Sequence, residues 1–268
     1  MALLFTFGMF CTGCATQPEI TETETQKETE ETTQSKYILN FSDETTTETT
    51  STETETETTD ETQTVDLDYA TYANYQMSTD TTNQIVATFH IQDFGDIQMK
   101  LFQDAAPKAV ENFVTHAKEG YYNGLTFHRV IQDFMIQSGD PKGDSTGGES
   151  IWGTPFENEC TLELVPYRGA LCMANQGTEN SNTSQFFIVT ASANEEIVAE
   201  LQQNQYPASL IETYQTYGGC PWLYQGYTVF GQVVSGMDIA DQIQAVETDE
   251  NDKPMEDVII TSIDITEP

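Results

Sequence analysis

Phe127-His128-Arg129-Val130-Ile131-Gln132-Asp133-Phe134-Met135-Ile136-Gln137-Ser138-Gly139-Asp140 is the stretch on which the reading of this chain turns. It alternates like two short strands around a turn, and it gathers the guanidinium of Arg129, the amide of Gln137 and several large apolar side chains within fourteen residues. Period-two alternation places Phe127, Arg129 and Ile131 on one side and His128 and Val130 on the other. No nucleophile, metal cluster or phosphate loop accompanies them. A surface so equipped can grip and polarise an amide but has no means to cleave it.

Working outward, the same strand-like texture fills most of the chain after Asn83. Ile85 to Ile91 alternates, Phe94-Gly95 marks a turn, and Ile97, Met99 and Leu101 alternate again, which predicts a hairpin. Further strands are expected near 126–131, 134–138, 169–174, 185–190, 228–234 and 258–265. Asp104 is positioned to cap a helix with Pro107 in its first turn, followed by the stripe Val110, Phe113, Val114, Ala117 up to Gly120. A second helix fits Met237 to Val246. Eight short strands and two helices suit a mainly β fold, a closed eight-stranded antiparallel barrel capped by two helices. Residues 191–220 exceed a minimal barrel. Ile197, Leu201, Leu210, Ile211 and Tyr214 predict a helical insertion broken at Tyr206-Pro207, read as a lid or buttress in preference to a partner-binding element.

The N-terminal third is of another kind. Residues 15–80 hold 17 Asp and Glu against Lys27 and Lys36, a large share of the net charge of −35. Runs such as Thr52-Glu53-Thr54-Glu55-Thr56 alternate without an apolar face, so burial could not offset the entropy of folding them. Residues 15–82 therefore read as a disordered stalk, with the Tyr-rich Asp66 to Met77 taken as chance apolar content, and residues 83–268 as the folded domain. So acidic a chain is repelled by phosphate backbones, which argues against nucleic acid as a partner.

Residues 1–14 are apolar up to Phe10 and end in Cys11-Thr12-Gly13-Cys14, which resembles a bacterial lipoprotein signal with Cys14 as the lipidated residue. Cys11 stands where such signals have Leu, and no Lys or Arg precedes the apolar run. The run is too short to span a bilayer, so the membrane would be reached through the lipid anchor only, on the outer face of the bacterial cytoplasmic membrane. Cys160, Cys172 and Cys220 lack metal-ligand spacing and read as small buried or half-buried thiols.

The stretch 127–140, together with Met173-Ala174-Asn175, Ser184-Gln185-Phe186-Phe187 and Trp222-Leu223, resembles the cyclophilin family of peptidyl-prolyl isomerases from about Asn83 to Ile265. The resemblance implies the capped barrel and a rotamase acting on proline-containing polypeptides, with no cofactor and no metal. It implies catalytic roles for Arg129, Phe134 and Gln137. Met135, Phe187 and Leu223 would join Phe134 in a socket for the proline ring, with Tyr227 at its edge. Ala174, Asn175, Gln176 and Gln185 would line the peptide groove, and Thr146-Gly147-Gly148 a glycine-rich rim. Trp222 matches a tryptophan that favours cyclosporin binding in the family. Tyr227 stands where many members have His, and Gln176 replaces a usual small residue, changes that bear on subsite preference. A second expectation, of another class, is a stalk-presented module that holds proline segments or a partner with little turnover.

Overall fold

A computed structural model describes residues 67–268, a set that leaves the expected lipidation site Cys14 and residues 15–66 of the expected stalk outside the described residues. The elements run α1 (Tyr69–Met77), β1 (Ile85–Ile91), β2 (Gly95–Leu101), α2 (Pro107–Lys118), β3 (Arg129–Ile131), β4 (Met135–Ser138), β5 (Ala170–Met173), β6 (Phe186–Val189), α3 (Glu195–Gln203) and α4 (Ala208–Tyr217). A 3-10 turn (Pro221–Leu223), β7 (Val229–Ser235), α5 (Met237–Gln244) and β8 (Ile260–Thr266) complete them.

All eight strands form one sheet in the order β3-β4-β6-β5-β7-β2-β1-β8, each pair antiparallel. The sheet is open and curled, which corrects the expected closed barrel. Its end strands β3 and β8 share no ladder. β3 has three residues, and its Val130 N–H goes to the carbonyl of Asp252 in a turn at 2.8 Å. The chain before β3 meets the first residue of β8 through Gly124 N–H to the Ile260 carbonyl and Ile260 N–H to the Leu125 carbonyl, both 2.8 Å. It meets the residues just before β8 through the isolated bridge Thr126 to Ile259 and Phe127 N–H to the Val258 carbonyl, 2.9 Å. Loops thus satisfy edges that a ladder would have joined.

Inside the curl lies the main core. Phe89, Phe113, Phe186 and Phe230 are buried there with aliphatics from both halves of the sheet, the ring of Phe113 lying 5.5–5.7 Å from the other three. Phe127 joins this core alongside Val130, so the predicted placement of Phe127 beside Arg129 is wrong. Regular strand geometry begins only at Arg129, and alternation cannot be extrapolated back through the irregular segment before it. Asp104 does not cap α2. Its N-cap is Ala106, and the carboxylate of Glu159, distant in sequence, accepts from the N–H groups of Lys108 and Ala109 at 3.1 and 2.9 Å. An anion there complements the helix dipole.

For residues 67–82 alone the predicted disorder is corrected, because α1 is a docked helix. Tyr69, Ala73 and Gln76, at helical spacing, are fully buried. They pack with Val165, Tyr167 and Tyr224 and with Leu201, Leu210 and Tyr214 of α3 and α4, a cluster separate from the main core. Gln76 pairs with both backbone groups of Val165, donating to its carbonyl at 2.7 Å and accepting from its N–H at 2.9 Å. Buried Lys100 donates to the carbonyls of Tyr75 and Ser78, both at 2.8 Å, where the helix ends. Residues 191–220 fold as α3 and α4, with the break at 204–207, and serve as the shelf on which α1 lies.

Candidate active site

The registers of four strands build the site. Arg129 pairs with Gln137, Gln137 with Phe187, and Phe187 with Cys172, a row crossing β3, β4, β6 and β5. Directly paired residues project to the same face. One step along, Ile131, Met135 and Val189 form a second row on that face. The alternate row, Val130, Ile136, Ile188 and Leu171, points into the main core. The outer face is therefore an apolar floor of Met135, Phe187, Cys172 and Val189, joined by Leu223 from the 3-10 turn.

Around this buried floor stand partly exposed side chains: Ile131, Phe134, Ala174, Trp222 and Tyr227. Phe134 and Trp222 are 5.9 Å apart between ring centroids, and Tyr227 meets Phe187 edge-on at 5.7 Å. Phe134 owes its position to a three-residue hairpin loop, 132–134, in which Asp133 adopts φ +57°, a value that Asp tolerates better than most residues. The loop is fixed from behind, with Thr190 N–H on the Phe134 carbonyl at 2.9 Å and Ser192 N–H on Asp133 Oδ1 at 3.0 Å.

The polar groups gather at one margin of the floor. Arg129 is 24 % exposed, and its Nε lies 3.6 Å from Asp252 Oδ2. Gln137 Nε2 donates to Gln185 Oε1 at 2.8 Å, and Gln185 Nε2 donates to the carbonyl of Gly147 at 2.8 Å. The rim Thr146-Gly147-Gly148 is thereby tied to the sheet. Across the floor, Asn175 Nδ2 donates to the Gly226 carbonyl at 3.0 Å, beside Tyr227, while Gln176 is exposed. Ala174 N–H donates to the Gln185 carbonyl at 2.9 Å.

All twelve residues expected to form the site lie on this one face or its margins. Two carboxylates were not singled out by sequence reasoning. Asp252 lies in a distant turn with no motif of its own; Asp140, just after β4, carried a signal in the Asp-Pro-x-Gly turn it opens. Burial pushes the thiols of Cys172 and Cys220 far up and that of Cys160 to about 11, so none is a thiolate near neutrality. The floor supplies an apolar socket and a permanent cation at its edge, without a nucleophile.

Residues 86–265 match the family model described as cyclophilin type peptidyl-prolyl cis-trans isomerase/CLD. A Staphylococcus epidermidis protein assigned as a peptidyl-prolyl cis-trans isomerase is 49 % identical over 186 residues, covering 69 % of this chain and 93 % of its own. A Staphylococcus haemolyticus protein assigned likewise is 50 % identical over 184 residues, covering 68 % and 92 %. Crystal structures of a cyclophilin type peptidyl-prolyl cis-trans isomerase of Cryptosporidium parvum superpose with TM-score 0.56 at 32 % identity, covering 69 % of this chain and 98 % of that one. One was determined in the presence of the dipeptide Ala-Pro, at 31 % identity, TM-score 0.56 and coverage of 68 % and 99 %. With an apolar floor rimmed by partly exposed rings beside a fixed cation, no thiolate near neutrality among the described cysteines, and a family match over two thirds of its length, this chain belongs to the cyclophilin-type peptidyl-prolyl cis-trans isomerases, and it is an isomerase.

Proposed function

We propose that the chain accelerates rotation about X-Pro bonds by rewarding the twisted amide with the charge of Arg129. Rotation breaks amide resonance, at a barrier of about 18–20 kcal/mol. At the midpoint the prolyl nitrogen regains its lone pair and becomes a hydrogen-bond acceptor, which it is not in either planar isomer. A donor aimed at that nitrogen binds the transition state more tightly than the ground state, the condition for catalysis. Arginine suits the role because it stays charged at every relevant pH and is less strongly hydrated than lysine. Phe134, Met135, Phe187 and Leu223 hold the ring, with Trp222 and Tyr227 as walls. Gln137 orients Arg129 and meets the substrate carbonyl. Ala174, Asn175, Gln176 and Gln185 flank the path of the peptide.

The observation that carries this reading is the cross-strand row Arg129, Gln137, Phe187, which sets a cation, an amide and an apolar floor side by side on one face of the sheet, rimmed by partly exposed aromatic rings. The clients we propose are exported or surface polypeptides, reached from the outer face of the bacterial cytoplasmic membrane through a lipid on Cys14. The apolar run before Cys11-Thr12-Gly13-Cys14 supports that address, and mass spectrometry of the membrane fraction tests it, an unmodified Cys14 there contradicting it. Cyclosporin would occupy the same socket against Trp222.

A protease-coupled assay on a prolyl peptide tests the activity. Wild-type protein should give turnover that micromolar cyclosporin suppresses. Turnover no faster than that of Arg129→Ala would overturn the proposed mechanism.

A further inference from the structure

We propose that Asp140 is a positioning residue for the isomerisation: its buried carboxylate shapes the 140–148 loop, and that loop sets which way the amides of Gln185 and Gln137 face beside Arg129. The proposal rests on the reading of Arg129 as the catalytic cation.

Asp140 is 2 % exposed, a rare state for an aspartate unless its oxygens are satisfied. Its Oδ1 accepts from Lys142 N–H at 2.8 Å, and its Oδ2 accepts from the N–H groups of Asp144 and Gly147, both at 3.2 Å. Three backbone donors thus converge on one acceptor-only group and wrap the loop around it. The wrap is tight enough that a Cβ at Gly147 would sit 2.0 Å from Asp140 Oδ1, and Gly148, at φ +95°, would place one 2.4 Å from Ser184 Oγ.

In this conformation the carbonyls of Ser145 and Gly147 both face Gln185 Nε2, at 3.3 and 2.8 Å. Carbonyl oxygens only accept, so they admit the amino end of the Gln185 amide and reject its oxygen. Gln185 Oε1 is thereby turned toward Gln137, whose Nε2 donates to it at 2.8 Å. With its amino end so engaged, Gln137 presents its own oxygen elsewhere on the face it shares with its register partner Arg129. An oxygen there accepts from a guanidinium, whereas an amino group there would repel it. The sense of both amides is therefore decided by a carboxylate that touches neither Arg129 nor the floor.

Asp140→Asn tests the relay, because the isosteric amide must turn a donor toward N–H groups that are themselves donors. The expected result is kcat down about tenfold with KM within about twofold, and a displaced side-chain amide resonance of Gln137 in a 1H-15N spectrum. Gln185→Met, which breaks the relay one step later, should show the same displacement and a similar fall in kcat. The double variant should be no slower than the slower single, as expected for residues acting through one path. Unchanged kcat in either single variant, or losses that multiply in the double, would overturn the proposal. Should Asp140→Asn not fold, Gln185→Met decides alone by the same two readouts. If Arg129→Ala loses turnover while Asp140→Asn keeps it, only the relay fails; if Arg129→Ala keeps turnover, the underlying reading fails.

Discussion

Among the described residues two apolar clusters stand apart from the main core, and they have opposite fates. The cluster of Tyr69, Val165, Tyr167, Leu210, Tyr214 and Tyr224 is closed over by α1 and the 191–220 insertion. The cluster of Met135, Phe187, Leu223 and Val229 is buried beneath a rim of Phe134, Trp222 and Tyr227 that stays partly exposed. Both are rich in aromatic rings, so composition does not distinguish them. What differs is the polar chemistry at their edges. Around the closed cluster, polar groups are spent on fastening the cover: Gln76 on Val165, Lys100 on the end of α1, and Tyr167 Oη on Thr213 Oγ1 at 2.7 Å. Around the other, Arg129, Gln137 and Gln185 are held in place by their neighbours beside the partly exposed rim. Partly exposed aromatic rings beside a fixed cation are what a binding surface needs, and the proposed socket has them.

The largest expected effect breaks the closed side. Tyr69→Ala empties a fully buried ring site, and losses of about 3–5 kcal/mol are usual for such a truncation. Urea denaturation should show a loss of that order, while kcat/KM of the folded fraction is unchanged. A matching loss of activity would mean that the two regions are coupled. On the open side the signature should be reversed. Trp222→Ala should weaken substrate binding about 3- to 10-fold, in line with about 0.5–1.5 kcal/mol for an aromatic contact, with little change in the denaturation midpoint.

The smallest effect uses pH. His128 is buried behind the open face, and burial is the main cause that holds its pKa below histidine's ordinary value of about 6.5. Below that value the unfolded chain takes up a proton that the folded chain resists, so stability is complete above about pH 6.5 and declines as pH falls through it. His128→Gln should make this decline shallower, by about 1 kcal/mol or less between pH 7.5 and 5. Hydrogen exchange at pH 5 sharpens the comparison: residues 128–148 should lose protection before residues 69–77. Uniform loss would show that acid acts elsewhere.

How much of this was legible beforehand follows from where the signal resided. The strand pairs and the site row were readable because β3 and β4 are adjacent in sequence and alternate cleanly from Arg129 onward. α1 was not, because its buried positions are Tyr69, Ala73 and Gln76, one of them polar, inside a segment dominated by Thr and acidic residues. The groups that Gln76 and Tyr69 meet, Val165 and Tyr224, are 89 and 155 residues away, and no local pattern announces those meetings. The cap of α2 failed for a like reason: Asp104 had the right residue type nearby, but Glu159 arrives from another loop. The open seam between β3 and β8 depends on turn geometry near Asp252, which strand counting does not see. Family resemblance supplied the twelve expected site positions, whereas the Asp-Pro-x-Gly turn at Asp140 signalled a turn and only the hydrogen-bond directions connected its carboxylate to Gln185.

The most direct test of the central claim separates binding from rotation in one sample. Exchange NMR on a proline peptide yields both the dissociation constant and the catalysed cis-trans rate for wild-type protein and Arg129→Ala. The account predicts affinity within about threefold and a rate lowered by about 100-fold or more, the usual consequence of deleting one preorganised transition-state donor. A rate that persists, or that falls only in proportion to lost affinity, would contradict it.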